Sequence, residues 1–122
     1  MQNEFRFEVG EVYNTVCILS REGDKCVCRM LDDLSGHTSD WSVAHITSWT
    51  DEQGNICEGF QLGGRRFFAM SDRMSEEKVE GFRNILAMLK KNKDAEKSEI
   101  YEDVIANTEL YIKAWNRFKG VA

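Results

Sequence analysis

The sequence predicts an α+β chain: a strongly bent antiparallel β-sheet or small SH3-like barrel of about five strands, followed by a C-terminal αα-hairpin. Three observations carry that prediction. Up to Met70 the apolar residues fall in short runs rich in Val, Ile, Thr, Cys and aromatics, separated by Gly, Asn and Asp. From Ser75 onward the apolar spacing changes to that of an amphipathic helix. Between two of the strand-like runs stands the pair Gly63-Gly64, the signal for a two-residue type I′ turn, which needs φ > 0 at both central positions.

The elements follow in order. Phe5 to Gly10 reads as a short edge strand with Phe5, Phe7 and Val9 on one side. Val12 to Ser20 and Lys25 to Leu31 form a hairpin around Arg21-Glu22-Gly23-Asp24. In the first of these strands Tyr13, Cys17 and Leu19 share one face and Val12, Val16 and Ile18 the other, so the sheet is expected to be covered twice or to curl. Asp32 to Ser42 is the longest polar connection and ends near Trp41. Val43 to Trp49 and Ile56 to Leu62 form a second hairpin across Asp51-Glu-Gln-Gly54, with Gly54 suited to a left-handed position. Counting outward from Gly63-Gly64 pairs Leu62 with Arg65, Gln61 with Arg66, Phe60 with Phe67, Gly59 with Phe68, Glu58 with Ala69 and Cys57 with Met70. Phe60 and Phe67 make an aromatic cross-strand pair in that register, and Phe68 covers Gly59.

The helical half begins with Ser75 as N-cap, Glu76 and Glu77 at the positive end, and Met74 with Val79 as a hydrophobic staple. Val79, Phe82, Ile85, Leu86 and Leu89 form its stripe, and Lys90, Lys91 and Lys93 gather before Asn92 is expected to end it. A second helix runs from about Ala95 to Lys119, closed by Gly120.

At 122 residues the chain is read as a single domain, residues 1–72 the β part and 73–122 the helical hairpin. That length suffices to bury roughly two thirds of the unfolded surface without staples. Proline is absent, so every reversal falls to Gly, Asn, Asp or Ser. The opening MQNEFRFEVGEV holds acids and no apolar run, and nothing approaches the ~20 apolar residues of a membrane span, so a cytoplasmic setting without membrane partner is expected. There Cys17, Cys26, Cys28 and Cys57 are reduced and act as small buried hydrophobes.

Charge and motifs narrow the function. Residues 1–72 carry six Lys/Arg against twelve Asp/Glu, a balance of −6, whereas residues 73–122 stand at +1. An acidic β half repels phosphate backbones at long range, which disfavours general nucleic-acid binding. Cys26, Cys28, His37, His45 and Cys57 offer zinc ligands, but a Cys-x-Cys on a strand lacks the tight knuckle of a structural site, and no metal or cofactor is predicted. A Cys-His-Asp set using His37 with Asp32, Asp33 or Asp40 has no local signature, so a small Cys/His-dependent enzyme ranks last.

Arg65 and Arg66 with Trp41 and Trp49 form the candidate partner- or ligand-binding set, because Arg supplies a planar fork and Trp a rigid face. Arg65 and Arg66 fall on opposite faces of their strand. The second helix carries a wide apolar arc, and Tyr101, Ile105 and Ile112 along one edge of it are the candidate homo-oligomer interface. The leading expectation is a non-catalytic binding or inhibitory protein that meets a protein partner through its β side and oligomerises through its helices, of the kind mobile elements encode against host defence. The alternative is a nucleotide-like ligand or a single strand of nucleic acid held by the same arginines and tryptophans.

Overall fold

A computed structural model describes residues 3–31, 41–96 and 99–120 of the chain. The elements are β1 (Glu4–Phe5), β2 (Val12–Tyr13), β3 (Val16–Glu22), β4 (Lys25–Met30), β5 (Ser42–His45), β6 (Thr47–Thr50), β7 (Ile56–Leu62), β8 (Arg65–Phe68), α1 (Ala69–Asp72), α2 (Glu76–Glu96) and α3 (Glu99–Lys119). The architecture is α+β with a C-terminal helix pair, as expected.

The strands differ from the single bent sheet of the sequence reading. Among the described residues they form two four-stranded sheets and close no barrel. One sheet is the antiparallel series β2-β3-β4-β5. The other is built on β7, with β6 antiparallel on one edge and, on the opposite edge, β8 and then β1. Glu4 pairs with Ile56 and Phe5 with Cys57 in parallel, so the second sheet is mixed. Ile46, between β5 and β6, is where the chain passes from one sheet to the other; its N–H reaches the carbonyl of Asp24 at 2.6 Å.

Local turn chemistry explains the register. Gly63 and Gly64 have φ of 58° and 78°, and the pairing from Leu62–Arg65 to Gly59–Phe68 is the one their turn dictates. Phe60 stacks on Phe67 with ring centroids 5.2 Å apart. The two outer pairs of that reading, Glu58 with Ala69 and Cys57 with Met70, do not form. The chain turns into α1 at Ala69, where the Asp72 carboxylate accepts the Phe68 N–H at 2.6 Å, and β1 takes the vacated edge.

Val12 to Ser20 is not one strand. Asn14 adopts φ 55°, the only left-handed non-glycine among the described residues, and folds β2 back on β3 so that Tyr13 pairs with Val16 and Val12 with Cys17. Asn is among the few non-glycine residues that tolerate this region, and its side-chain amide donates to the distant Asp72 at 2.8 Å, which holds the reversal in place. The reversal shifts the faces: Tyr13, Val16 and Ile18 enter the core between the sheets, while Val12 turns to the helices. Leu19 sits in a β-bulge and is exposed, as is Val9, whereas Phe7 is buried.

The core between the sheets holds Phe7, Tyr13, Ile18, Cys26, Cys28, Ile46, Phe60 and Phe67. The helix pair covers the first sheet through Val12, Met74, Val79 and Trp115, and through Leu31, Leu110 and Ala114. Ser75 accepts the Lys78 N–H at 3.2 Å, and Met74 and Val79 meet in one cluster as the staple requires. Asn92 does not end the helix, because a lone Asn costs only ~0.7 kcal/mol or less against the best helix formers. Gly120, at φ 71°, terminates α3. No helix among the described residues is long and apolar enough to cross a membrane.

Candidate functional site

Strand alternation sends Glu58, Phe60 and Phe67 inward and leaves Trp49, Gly59, Gln61, Arg66 and Phe68 on the outer face of the second sheet. In the ladder Thr47, Gly59 and Phe68 form one row, with Gln61 opposite Arg66. Gly59 makes the surface possible. A Cβ there would stand 3.1 Å from Cη2 of Trp49 and 3.1 Å from the carbonyl oxygen of Phe67, so only glycine lets the indole lie across β7. Trp49, rather than the expected Phe68, therefore covers Gly59. Phe68 meets the indole edge-on at 6.0 Å and 88°.

The result is a depression of about 320 Å³ lined by Thr47, Trp49, Gly59, Gln61, Arg66 and Phe68. Trp49 and Phe68 remain 40% and 38% exposed, so both rings have free faces or edges for a partner. The guanidinium of Arg66 forms no ion pair with a described residue. An aromatic shelf, an amide and a planar cation meet on one concave face.

Of the four binding candidates, the structure thus brings Trp49 and Arg66 together. Arg65 falls on the opposite face, as alternation requires, and lines a second hollow beside α3 that Arg66 also borders. Trp41, preceding β5, is 63% exposed and lines neither hollow.

Tyr101, Ile105 and Ile112 do not make the exposed stripe expected of them. Ile105 is buried, Ile112 packs on the cluster of Val12, Val79 and Trp115, and Tyr101 is half-buried, while Val104 is 41% exposed. Leu110 and Ala114 supply the reason. They turn the C-terminal half of α3 toward Leu31, so the buried arc swings along the helix instead of running as one stripe.

The sequence reading missed Glu58. Its carboxylate is fully buried and accepts two bonds from Arg21, at 2.6 and 2.7 Å, one from the Phe7 N–H at 2.9 Å and one from Arg6 at 3.3 Å. Burial alone would push this carboxyl up, but the bonds from Arg21 and Phe7 and the charges of Arg21 and Arg6 outweigh it and hold the group below the ordinary carboxylate range. The pair ties β7 to β3 across the two sheets. The available signal was a charged residue at an inward position, two before Phe60.

Three of the four thiols, Cys17, Cys28 and Cys57, are poor nucleophiles, whereas Cys26 is lowered by its bond with Cys28 against the opposing effect of burial. Burial raises Cys17, burial and the neighbouring Asp51 carboxylate raise Cys57, and Cys28 is raised by its bond with Cys26 and by burial. Among the described residues no three His, Cys, Asp or Glu side chains converge as metal ligands. His37, Asp32, Asp33 and Asp40 lie outside the described residues. Comparison with protein-family models, curated proteins and solved structures returned no match.

Proposed function

We propose that this chain is a non-catalytic binding protein whose working surface is the aromatic depression on the second sheet, and that its ligand is planar and anionic, of nucleotide type. One observation carries the reading: Trp49, Phe68 and Arg66, which has no ion-pair partner among the described residues, surround Gly59 on a single concave face. Aromatic faces stack planar rings regardless of sequence, and an arginine fork attracts the accompanying negative charge. The depression, at about 320 Å³, lies at the small end of ligand sites, which run roughly 300–1,000 Å³. A ring system fits that scale. The −6 balance of residues 1–72 argues against a long polyanion and for a small one.

Holding such a ligand without altering it is a sequestering or inhibitory role, the class that mobile elements use against host signalling. Exposed Met70, just beyond Phe68, supports a second reading in which the same face docks a protein. Titration of the four ribonucleoside 5′-diphosphates, followed by calorimetry, separates the two. The proposal expects saturable binding by the wild type that Trp49→Ala abolishes and Trp41→Ala leaves intact. Binding indifferent to Trp49→Ala, or none with any of the four, would overturn it.

A further inference from the structure

The hollow on the other side of Arg66 carries a chemistry of its own. It is a cleft of about 370 Å³ between α3 and the β7–β8 hairpin, and its polar lining includes Thr15, Arg65, Arg66, Asn107 and Tyr111. Thr15 lines the cleft at its floor and is fully buried, and its Oγ1 has no hydrogen-bond partner among the described residues. A buried hydroxyl left without a partner is disfavoured, and its persistence at the floor of a polar cleft marks a position where a ligand atom would complete it. Neither Arg65 nor Arg66 has an ion-pair partner among the described residues.

The donor set selects the ligand. Two guanidinium groups, a hydroxyl, an amide and a phenol line the cleft, and no carboxylate does among the described residues. Asn14 also borders it, but its amide is already given to Asp72 at 2.8 Å. Cations and neutral donors arriving from β8, the β2–β3 turn and α3 suit an oxyanion with oxygens in several directions. A tetrahedral phosphoryl group offers that, whereas a planar carboxylate is satisfied by one fork.

We infer that this cleft is the phosphoryl half of the ligand site. Because Arg66 borders both hollows, the ligand class is a nucleoside phosphate, with its base on Trp49 and Phe68 and its phosphoryl group held by Arg65, Arg66 and Thr15. The placement of the base rests on the function proposed above; the placement of the phosphate rests on the cleft alone.

Calorimetry with three kinds of probe tests the halves separately: inorganic pyrophosphate, the four ribonucleosides, and their 5′-diphosphates. Pyrophosphate should bind the wild type and Trp49→Ala alike, and at least tenfold more weakly to Arg65→Ala and Thr15→Val. The best nucleoside should respond to Trp49→Ala and ignore Arg65→Ala, and its diphosphate should lose at least tenfold in either variant. Arg65 is exposed and Val matches Thr in shape, so circular dichroism should find both cleft variants folded. No pyrophosphate binding, or binding that Arg65→Ala and Thr15→Val leave unchanged, overturns the cleft and leaves the shelf standing. Pyrophosphate that binds as expected while no nucleoside responds to Trp49→Ala overturns the shelf, and with it the assignment to nucleoside phosphates.

Discussion

Glu58→Gln should destabilise the fold by about 3 kcal/mol, because the carboxylate it neutralises is the buried link between the sheets. The side chain of Glu58 is 0% exposed and that of Arg21 18%, with the two joined by bonds of 2.6 and 2.7 Å. Removing one partner of such a pair typically costs about 3–5 kcal/mol, since the other charge is left buried and unpaired. Glutamine keeps the volume and a carbonyl that can accept the Phe7 N–H, which places the loss at the lower end. Arg6, 44% exposed and 3.3 Å away, adds little. With an unfolding entropy of ~2.1 cal/mol/K per residue, a chain of 122 residues loses about 12 °C in Tm for 3 kcal/mol. The paired replacement Glu58→Met with Arg21→Met should cost less than the sum of its single changes, because it removes both charges together. Urea and thermal melts followed by circular dichroism measure all four proteins. A loss below ~1 kcal/mol for Glu58→Gln, or strict additivity in the double variant, would refute the argument. The pH dependence has a fixed sign. A folded carboxyl held below its unfolded value, which is about 4.3, contributes stability above that pH and loses it as the pH falls toward the folded value. Wild type should therefore weaken on acidification in that window, and Glu58→Gln should show a flatter profile there.

Thr15→Val should stabilise the unliganded protein by about 1 kcal/mol, read by urea denaturation, since it replaces an orphaned hydroxyl by a methyl of the same shape; a loss of stability would show that the hydroxyl is satisfied. Gly59→Ala should displace the indole of Trp49, costing about 1–3 kcal/mol and changing Trp emission, because the new Cβ would stand 3.1 Å from both the ring and a backbone oxygen. An unchanged spectrum would mean that the ring does not rest on β7. Ile105→Glu should unfold or strongly destabilise the chain, as it places an unpaired charge at a buried position. A well-folded Ile105→Glu variant by circular dichroism would restore the exposed stripe that the burial of Ile105 excludes.

Features set by neighbouring residues were legible in the sequence. Gly63-Gly64 specify their own turn and hence four cross-strand pairs, and Met74, Ser75 and Val79 specify the start of α2. Features set by distant partners were not. The parallel pairing of Glu4 with Ile56, and the reach of Arg21 to Glu58, join residues far apart in the chain, and nothing local to either end announces the other. Asn14 was obscured differently. Inside a run of β-branched and aromatic residues a single Asn reads as one outward position, and only its left-handed φ reveals a reversal. The meeting of Trp49 and Arg66 on one face was legible for the same reason as the turn. Alternation from Gly63-Gly64 separates Arg66 from Arg65, and pairing with β6 then brings Trp49 beside Arg66. Trp41 could not be sorted this way, because it precedes β5 and no register holds it.

The outer face of the second sheet is tested most directly by two-dimensional proton–nitrogen NMR on the ¹⁵N-labelled protein during titration with the four ribonucleoside 5′-diphosphates. The chain has three tryptophans, so the indole N–H signals report on distinct places at once. Saturable shifts of the Trp49 indole and the amides of Gly59, Gln61 and Arg66, with Trp41 and Trp115 unmoved, are the expected result. Shifts confined to other residues, or none with any of the four, would contradict the assignment of this face as the ligand site.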